Sequence, residues 1–251
     1  MPKDTDFVIE GRVLKEYGGA GGAVTLPDGV TRIGAAAFES CDALTGITIP
    51  ASVTEIEDWA FFGCIGLTSV ALPDSVTTIG ANAFQGCLGL KNIRLSRSLT
   101  AIGREAFAYC AALTEIALPA ALTDVGLEAF SGCTALTSVV LPNGAALGDW
   151  AFCDCTALAS VTLPESATAI GNGTFYGCRS LSSVRLPSGV TAIGHDAFAK
   201  CTGLTSIVLP KDLRTIGDYA FCGCSRLAHI EIPSGVTIGE YAFEGCDRLT
   251  K

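Results

Sequence analysis

One short phrase returns at a nearly constant interval along this chain of 251 residues, and it constrains the fold more than any other feature. The phrase is a phenylalanine followed three positions later by a cysteine, as in IGANAFQGCLGL at residues 79–90. Successive phenylalanines are 23 residues apart seven times and 22 residues apart twice. A fixed period of this length indicates stacked structural repeats, because a unit this small cannot bury its own apolar face. The phenylalanines are Phe38, Phe61, Phe84, Phe107, Phe130, Phe152, Phe175, Phe198, Phe221 and Phe243.

Each unit begins with a segment that reads as a short strand. In LTSVALPDSVTTIGANAFQGCLG, residues 67–89, apolar and polar residues alternate between Val70 and Leu72, which is typical of a strand with one buried face. Pro73 ends the segment, because proline has no N–H to donate into a ladder. Parallel strands of successive units would lie about 4.8 Å apart and form a continuous ladder along the long axis.

The phenylalanine and the cysteine belong to the corner that follows. Ala83, Phe84 and Cys87 stand at i, i+1 and i+4, a spacing that suits one helical turn facing the interior. The repeat therefore predicts a solenoid of about ten coils, with parallel β ladders and short helical or irregular turns.

Two kinds of segment depart from the plain repeat. The two 22-residue units lose one residue in the same outer turn, between Pro142 and Gly148 and between Pro233 and Gly239. A deletion confined to that turn should leave both ladders in register. At the start, FVIEGRVLKEY reads as two short strands about a Glu10-Gly11 turn. Such a hairpin would cover the open end of the first coil.

The repeat resembles a known family. Its pattern, L-x-x-I-x-L-P-x-x-V-T-x-I-G-x-x-A-F-x-x-C, is similar to the BspA-like, spirochaete-type leucine-rich repeat, and LTSVALPDSVTTIGANAFQGC and LSSVRLPSGVTAIGHDAFAKC match it almost throughout. Ser96 is a departure, since it stands in the usual proline position. The resemblance implies a leucine-rich repeat solenoid over residues 24–251 behind a hairpin cap at residues 1–23. It also implies a bacterial surface-exposed or secreted protein that adheres to host proteins or to other cells.

The cysteines of the recurring phrase share one repeat position, which predicts a ladder of reduced, buried thiols. Stacked neighbours would have parallel Cβ vectors, whereas a disulfide needs converging vectors and Cβ atoms about 3.5 to 4.5 Å apart. Cys153 and Cys222 stand outside the ladder, at a half-exposed position in AFCDC and AFCGC. The C-x-C pairs raise a zinc hypothesis, but three coils separate them by about 14 Å. Bonds of about 2.3 Å cannot span that distance, so no metal or cofactor is predicted.

Charge and motifs exclude several function classes. The chain has 16 basic and 25 acidic residues and no basic patch, which disfavours nucleic acid and anionic membranes as partners. No apolar run approaches the roughly 18 to 20 residues that cross a bilayer. No signal peptide is visible in MPKDTDFVIEG, so the sequence leaves both export and the cytoplasm open. His229 and Glu231 could form a catalytic base and the group that orients it. The better interpretation is that both are polar side chains at outward-facing positions of one strand, so no enzyme is predicted.

The outward positions of the predicted strands offer the surface for binding. Most of them carry small residues, and Arg94 and Arg185, four coils apart, would be separated by about 19 Å. That separation suits an extended protein partner better than a small molecule. A broken row of aromatic residues at another repeat position favours structural cover over ligand contact; its members are Trp59, Trp150, Tyr219 and Tyr241. The residues that deviate from the small outward rows form the candidate ligand-binding face: Arg94, Glu115, Val140, Arg185, Val208, His229 and Glu231.

These observations predict a non-enzymatic protein-binding module, with a structural spacer or assembly scaffold within a larger protein as the alternative. The sequence stops at DRLTK, three residues into another coil and without a polar capping unit. Because a bare end would expose the interior and an unpaired strand edge, we expect one of two arrangements. The native chain continues beyond Lys251, or a partner or a second copy packs against this end.

Overall fold

The computed structural model describes residues 6–250, so the first five residues of the predicted cap and Lys251 lie outside the described residues. This part of the chain forms twenty short β-strands and no α-helix. The strands are β1 (Phe7–Glu10), β2 (Val13–Tyr17), β3 (Gly22–Thr25), β4 (Arg32–Ile33), β5 (Leu44–Thr48), β6 (Glu55–Ile56), β7 (Ser69–Ala71), β8 (Thr78–Ile79), β9 (Asn92–Arg94), β10 (Ala101–Ile102), β11 (Asp124–Val125), β12 (Ser138–Val140), β13 (Ala146–Leu147), β14 (Ser160–Thr162), β15 (Ala169–Ile170), β16 (Ser183–Arg185), β17 (Ala192–Ile193), β18 (Ser206–Val208), β19 (Thr215–Ile216) and β20 (Thr237–Ile238).

Two parallel ladders run along the solenoid and confirm the predicted fold. The first ladder consists of the strands that precede the proline, in the orders β3-β5-β7-β9, β12-β14 and β16-β18. The second ladder consists of the strands that follow the proline, in the orders β4-β6-β8-β10-β11-β13 and β15-β17-β19-β20, and β1 and β2 extend its first sheet beyond β4. Equivalent residues pair from coil to coil, as Ile56, Ile79 and Ile102 do. Each coil is named below by its phenylalanine.

The core lies between the two ladders and the phenylalanine corner. Val70 and Ile79 point inward from the two ladders, and Phe84 fills the corner. The phenylalanine rings stack along the solenoid with centroids 4.9 to 6.0 Å apart, and each fully buried ring stabilises the fold by about 1.5 to 3 kcal/mol. The nine fully buried rings are Phe38, Phe61, Phe84, Phe107, Phe130, Phe152, Phe175, Phe198 and Phe221.

The corner is a series of tight turns, and the suggested helical turn does not form. Asn82 and Gly86 have positive φ values of 57° and 71°, which an α-helix does not allow. The N–H of Asn82 donates to Arg104 in the next coil at 2.8 Å, so the backbone bonds run between coils. The residue two before the phenylalanine has φ between 53° and 63° in every coil: Ala36, Trp59, Asn82, Glu105, Glu128, Trp150, Gly173, Asp196, Tyr219 and Tyr241.

The cysteine ladder packs inside this corner, as its repeat position predicts. From Cys64 to Cys246 each of these thiols donates to the carbonyl of the phenylalanine in the preceding coil; the Sγ of Cys87, for example, lies 3.1 Å from the oxygen of Phe61. Eight of these cysteines are buried, while Cys41 and Cys246 at the two ends are half-buried. Burial raises the pKa of Cys133 to about 12, so at neutral pH its side chain is an inert thiol.

An antiparallel hairpin covers the N-terminal end of the stack, as expected. Strands β1 and β2 pair around Gly11 and Arg12, one residue further on than the predicted turn. Both residues have positive φ, which is the requirement of a two-residue hairpin turn. Strand β2 then pairs with β4 as the first rung of the second ladder. The ring of Tyr17 lies 5.1 Å from that of Phe38 and extends the aromatic stack into the cap.

The two short coils keep the ladder register that the sequence predicts, because Val125 pairs with Leu147 and Ile216 pairs with Ile238. The second ladder nevertheless opens after the first short coil, since β13 and β15 do not pair. Phe152 and Phe175, on either side of this opening, have the widest ring spacing of the stack, 6.0 Å.

Candidate functional site: the outward face of the first ladder

The candidate ligand-binding residues lie on the outward side of the first ladder, which we call the first-ladder face. Alternation along each strand sends the central residue inward and its two neighbours outward, so β12 buries Val139 and exposes Ser138 and Val140. Val140 is 64% exposed and Val208 is 78% exposed. These two valines occupy equivalent positions three coils apart, about 14 Å along the ladder. A β-branched side chain left this open to water is a candidate contact for an apolar partner group.

A depression of about 710 Å³ contains three of the predicted residues. It lies where the Phe130 coil forms a single bridge, between Glu115 and Ser138, in place of a strand. The side chains of Ile116 and Leu118 line its floor, and Arg94, Glu115 and Val140 also line it. The structure thus brings two opposite charges and an exposed valine together around one apolar hollow.

A second depression, of about 500 Å³, contains three more of the predicted residues. Here too the coil forms only a single bridge, between Ser206 and His229. Val208, His229 and Glu231 line the hollow together with Lys211. A rung reduced to a single bridge therefore accompanies each of these two depressions. A shallower hollow of about 410 Å³ follows the N-terminal rungs of the same face and shares Arg94 with the first depression.

Arg94 and Arg185 make equivalent ion pairs in two different coils. Arg94 lies 3.7 Å from Asp74, and Arg185 lies 3.9 Å from Glu165, in each case an acidic residue twenty positions earlier in the preceding outer turn. All four side chains are exposed, so each pair contributes little, about 0 to 1 kcal/mol. Both guanidinium groups are therefore free to exchange these partners for a carboxylate of a bound protein. Arg185 lies outside the two depressions.

In the described part of the chain the other reactive residues do not converge on one point. His229 and Glu231 lie 3.4 Å apart and point into solvent, which matches their interpretation as polar side chains at outward strand positions. Cys153 and Cys222 are half-buried, and burial, followed by the charge of Asp154, raises the pKa of Cys153 to about 12. Within residues 6–250 no three His, Cys, Asp or Glu side chains are arranged to hold a metal ion. The same residues include no helix that could span a bilayer.

The aromatic row packs on the surface of the corner, away from the first-ladder face. Tyr219 and Tyr241 stack with their centroids 5.2 Å apart. Trp59 lies on Phe62 at 5.6 Å. The tyrosine pair joins neighbouring coils and Trp59 covers a residue of its own coil, so both contacts agree with the structural interpretation.

Comparisons with known proteins agree with this architecture. Residues 22–137 and 128–250 match the BspA type leucine-rich repeat region, six copies. A leucine-rich repeat protein of T. pallidum, TpLRR, is 31% identical, the match covers 90% of each chain, and the TM-score is 0.57. A leucine-rich repeat protein from Bacteroides ovatus is 28% identical over 99% of this chain and 90% of that chain, with a TM-score of 0.48.

A third solved structure, a leucine-rich repeat protein from Eubacterium ventriosum, shares the fold at 21% identity. The match covers 93% of this chain and 88% of that chain, with a TM-score of 0.58. No curated protein matches the chain.

Proposed function

We propose that this chain, which belongs to the BspA type leucine-rich repeat family, is a non-enzymatic module that binds a protein partner on its first-ladder face. The observation that carries the proposal is the pair of exposed valines, Val140 and Val208, each at the edge of an apolar depression with charged neighbours. Scattered polar residues on a solvated sheet would not by themselves produce this grouping. A compact apolar contact surrounded by charges is typical of protein interfaces.

The spacing of these groups favours an extended partner segment. The two valines are about 14 Å apart, which an extended chain spans in about four residues. Arg185 lies one rung from Val208 and would meet an acidic or carbonyl group of the segment between its two apolar side chains. The preferred partner is therefore a protein strand or loop with two apolar residues about four positions apart and an acidic residue near them.

Family membership further supports a place at the bacterial cell surface or in the secreted fraction, with adhesion to a host or neighbouring-cell protein as the role. The net charge of −9 means that the chain as a whole repels polyanions. An acidic group of the partner would therefore be bound by individual arginines and not by the overall charge of the chain.

A binding screen with matched charge reversals tests the proposal. The wild type and the Arg94→Glu/Arg185→Glu variant are measured against purified extracellular-matrix and host-surface proteins by biolayer interferometry. The control, Arg104→Glu/Arg179→Glu, makes the same change of charge at exposed positions outside the first-ladder face. We expect a partner whose affinity falls about tenfold or more in the first variant and stays within about twofold in the control.

Thermal melting checks that all three proteins are equally folded. Equal binding by both variants would refute the choice of this face. Absence of any partner would favour the spacer or scaffold role, in which the ends of the solenoid carry the function.

A further inference from the structure

We infer that the opening in the second ladder, between the Phe152 and Phe175 coils, is a separate binding site for a small neutral molecule that carries a secondary amide. A cleft of about 340 Å³ lies at this opening. It is lined by residues of both coils and lies away from the first-ladder face. Its size is at the lower end of the range for ligand pockets, about 300 to 1,000 Å³.

Three departures from the repeat build the cleft. Ala145 and Ala167 occupy the repeat position at which other coils place a larger residue in the interior, such as Val76. Like Val76, each of them donates its N–H to the carbonyl of the proline three residues earlier. Thr174 stands in the corner where neighbouring coils carry alanine, and it is fully buried. The two alanines therefore leave unfilled space beside the ladder. Thr174, the larger side chain, lies where the two coils are further apart.

The opening leaves a hydrogen-bond donor and an acceptor without their usual partners in the ladder. Elsewhere in the second ladder the residue after each rung donates to the preceding coil, as Gly148 does to Val125 at 2.7 Å and Gly194 to Ile170 at 2.9 Å. The equivalent bond, from the N–H of Gly171 to the carbonyl of Leu147, is absent. Within residues 6–250 no other backbone hydrogen bond outside the strand ladders reaches either group. Both groups belong to residues that line the cleft.

The two ends of the cleft are closed. At one end Trp150 donates to the carbonyl of Asn172 at 2.7 Å. At the other end Gly144 donates to Ser166 Oγ at 3.1 Å, and Glu165 donates to Asn143 Oδ1 at 3.2 Å. The opening is therefore a short, bounded slot and not a split that runs through the whole coil. The bonded ends leave no path for a long inserted strand.

The lining defines the chemistry of the ligand. A secondary amide matches the unpaired groups, because its carbonyl accepts from Gly171 and its N–H donates to Leu147 as a ladder neighbour would. Ala145, Ala167 and Ile170 provide an apolar lining for a methyl group beside that amide. No charged side chain lines the cleft, so a neutral ligand is preferred. An acetamido group combines these features, and it occurs both in N-acetylated amino sugars and in acetylated peptides.

Amide chemical shifts of ¹⁵N-labelled protein test the inference with defined probes. N-acetylglucosamine and N-acetylalanine methylamide represent the two sources of the acetamido group, and glucose and acetate are the matched compounds without a secondary amide. We expect saturable shifts at Gly171 and Leu147 with one or both amides. A dissociation constant on the order of 1 mM is what about 10 to 15 non-hydrogen atoms usually provide. Which amide binds more tightly distinguishes a sugar from a peptide ligand.

Variants locate the binding. Ala167→Val restores a side chain of the repeat and should weaken the shifts at least about fivefold, whereas Ala101→Val adds the same side chain to an intact rung and should leave them unchanged. If Ala167→Val does not fold, Ala145→Val fills the equivalent position of the other coil and should also weaken the shifts. Shifts from glucose or acetate equal to those from the amides, no shifts at all, or equal shifts in the filled variants would overturn the inference.

Discussion

Removing one ring from the middle of the aromatic stack should be among the most damaging single substitutions in this protein. Phe107 is fully buried between Phe84 and Phe130, with ring centroids 5.3 and 5.4 Å away and planes nearly parallel. Truncation of a buried phenylalanine to alanine costs about 3 to 5 kcal/mol. Contact with a ring on each side adds about 0.5 to 1.5 kcal/mol per pair. We therefore expect Phe107→Ala to lower the free energy of unfolding by about 5 kcal/mol.

The end of the stack provides the matched control. Phe243 is only half-buried and contacts one ring, Phe221, at 5.3 Å. Phe243→Ala should therefore cost less than half as much, about 2 kcal/mol. Guanidinium unfolding followed by far-UV circular dichroism measures both, and a lower m-value in Phe107→Ala would show that the two halves of the solenoid unfold separately. Equal losses in the two variants, or a loss below about 1 kcal/mol for Phe107→Ala, would refute the role of the stack.

Three further changes follow from the same structure. Because burial raises the pKa of Cys133 and of Cys201 to about 12, the folded state keeps protons that the unfolded chain loses above about pH 9. The free energy of unfolding should therefore fall as pH rises from 9 towards 12, by about 1.4 kcal/mol per pH unit for each such thiol. In urea unfolding, a Cys133→Ala/Cys201→Ala variant should show a smaller decrease of the unfolding free energy with pH. Ala36→Gly should raise the free energy of unfolding by about 0.5 to 1 kcal/mol, because it removes a Cβ from a residue at φ 57°; a lower melting temperature would contradict this. Asp58→Ala should cost about 1 kcal/mol, because Asp58 Oδ1 accepts the N–H of Ala81 at 2.7 Å, and an unchanged melting temperature would show that water replaces this bond.

The repeat predicts the coil stack because side chains at one repeat position must meet their equivalents in the next coil. The burial of Phe84 and Cys87 and the alternation around Val70 follow from that rule. The conformation of the corner does not follow, because spacing alone cannot reveal where backbone N–H groups donate. Trp59 and Glu105 adopt positive φ without being glycine, since their N–H groups donate to the next coil and hold them there.

The candidate face could be predicted in part. Strand alternation correctly places Arg94, Val140 and Val208 outward. Sequence does not reveal that the rungs at Glu115 and His229 are reduced to single bridges, since their residues keep the repeat pattern, and the depressions lie at these reduced rungs. The opening in the second ladder did leave a signal. Alanine replaces a larger residue in two consecutive coils, a change of side-chain size that the length of the outer turn does not reveal.

The central claim, that a protein partner binds across the first-ladder face, is tested most directly at the two exposed valines. Binding of the wild type, of Val140→Asp/Val208→Asp and of Ile65→Asp/Leu88→Asp is measured against the same panel of purified surface proteins. Ile65 and Leu88 are exposed apolar residues in the turns after the cysteines, so the control makes the same chemical change elsewhere. We predict a loss of about tenfold or more in affinity at the valines and less than about twofold in the control. Equal affinity of the wild type and the valine variant would contradict the account.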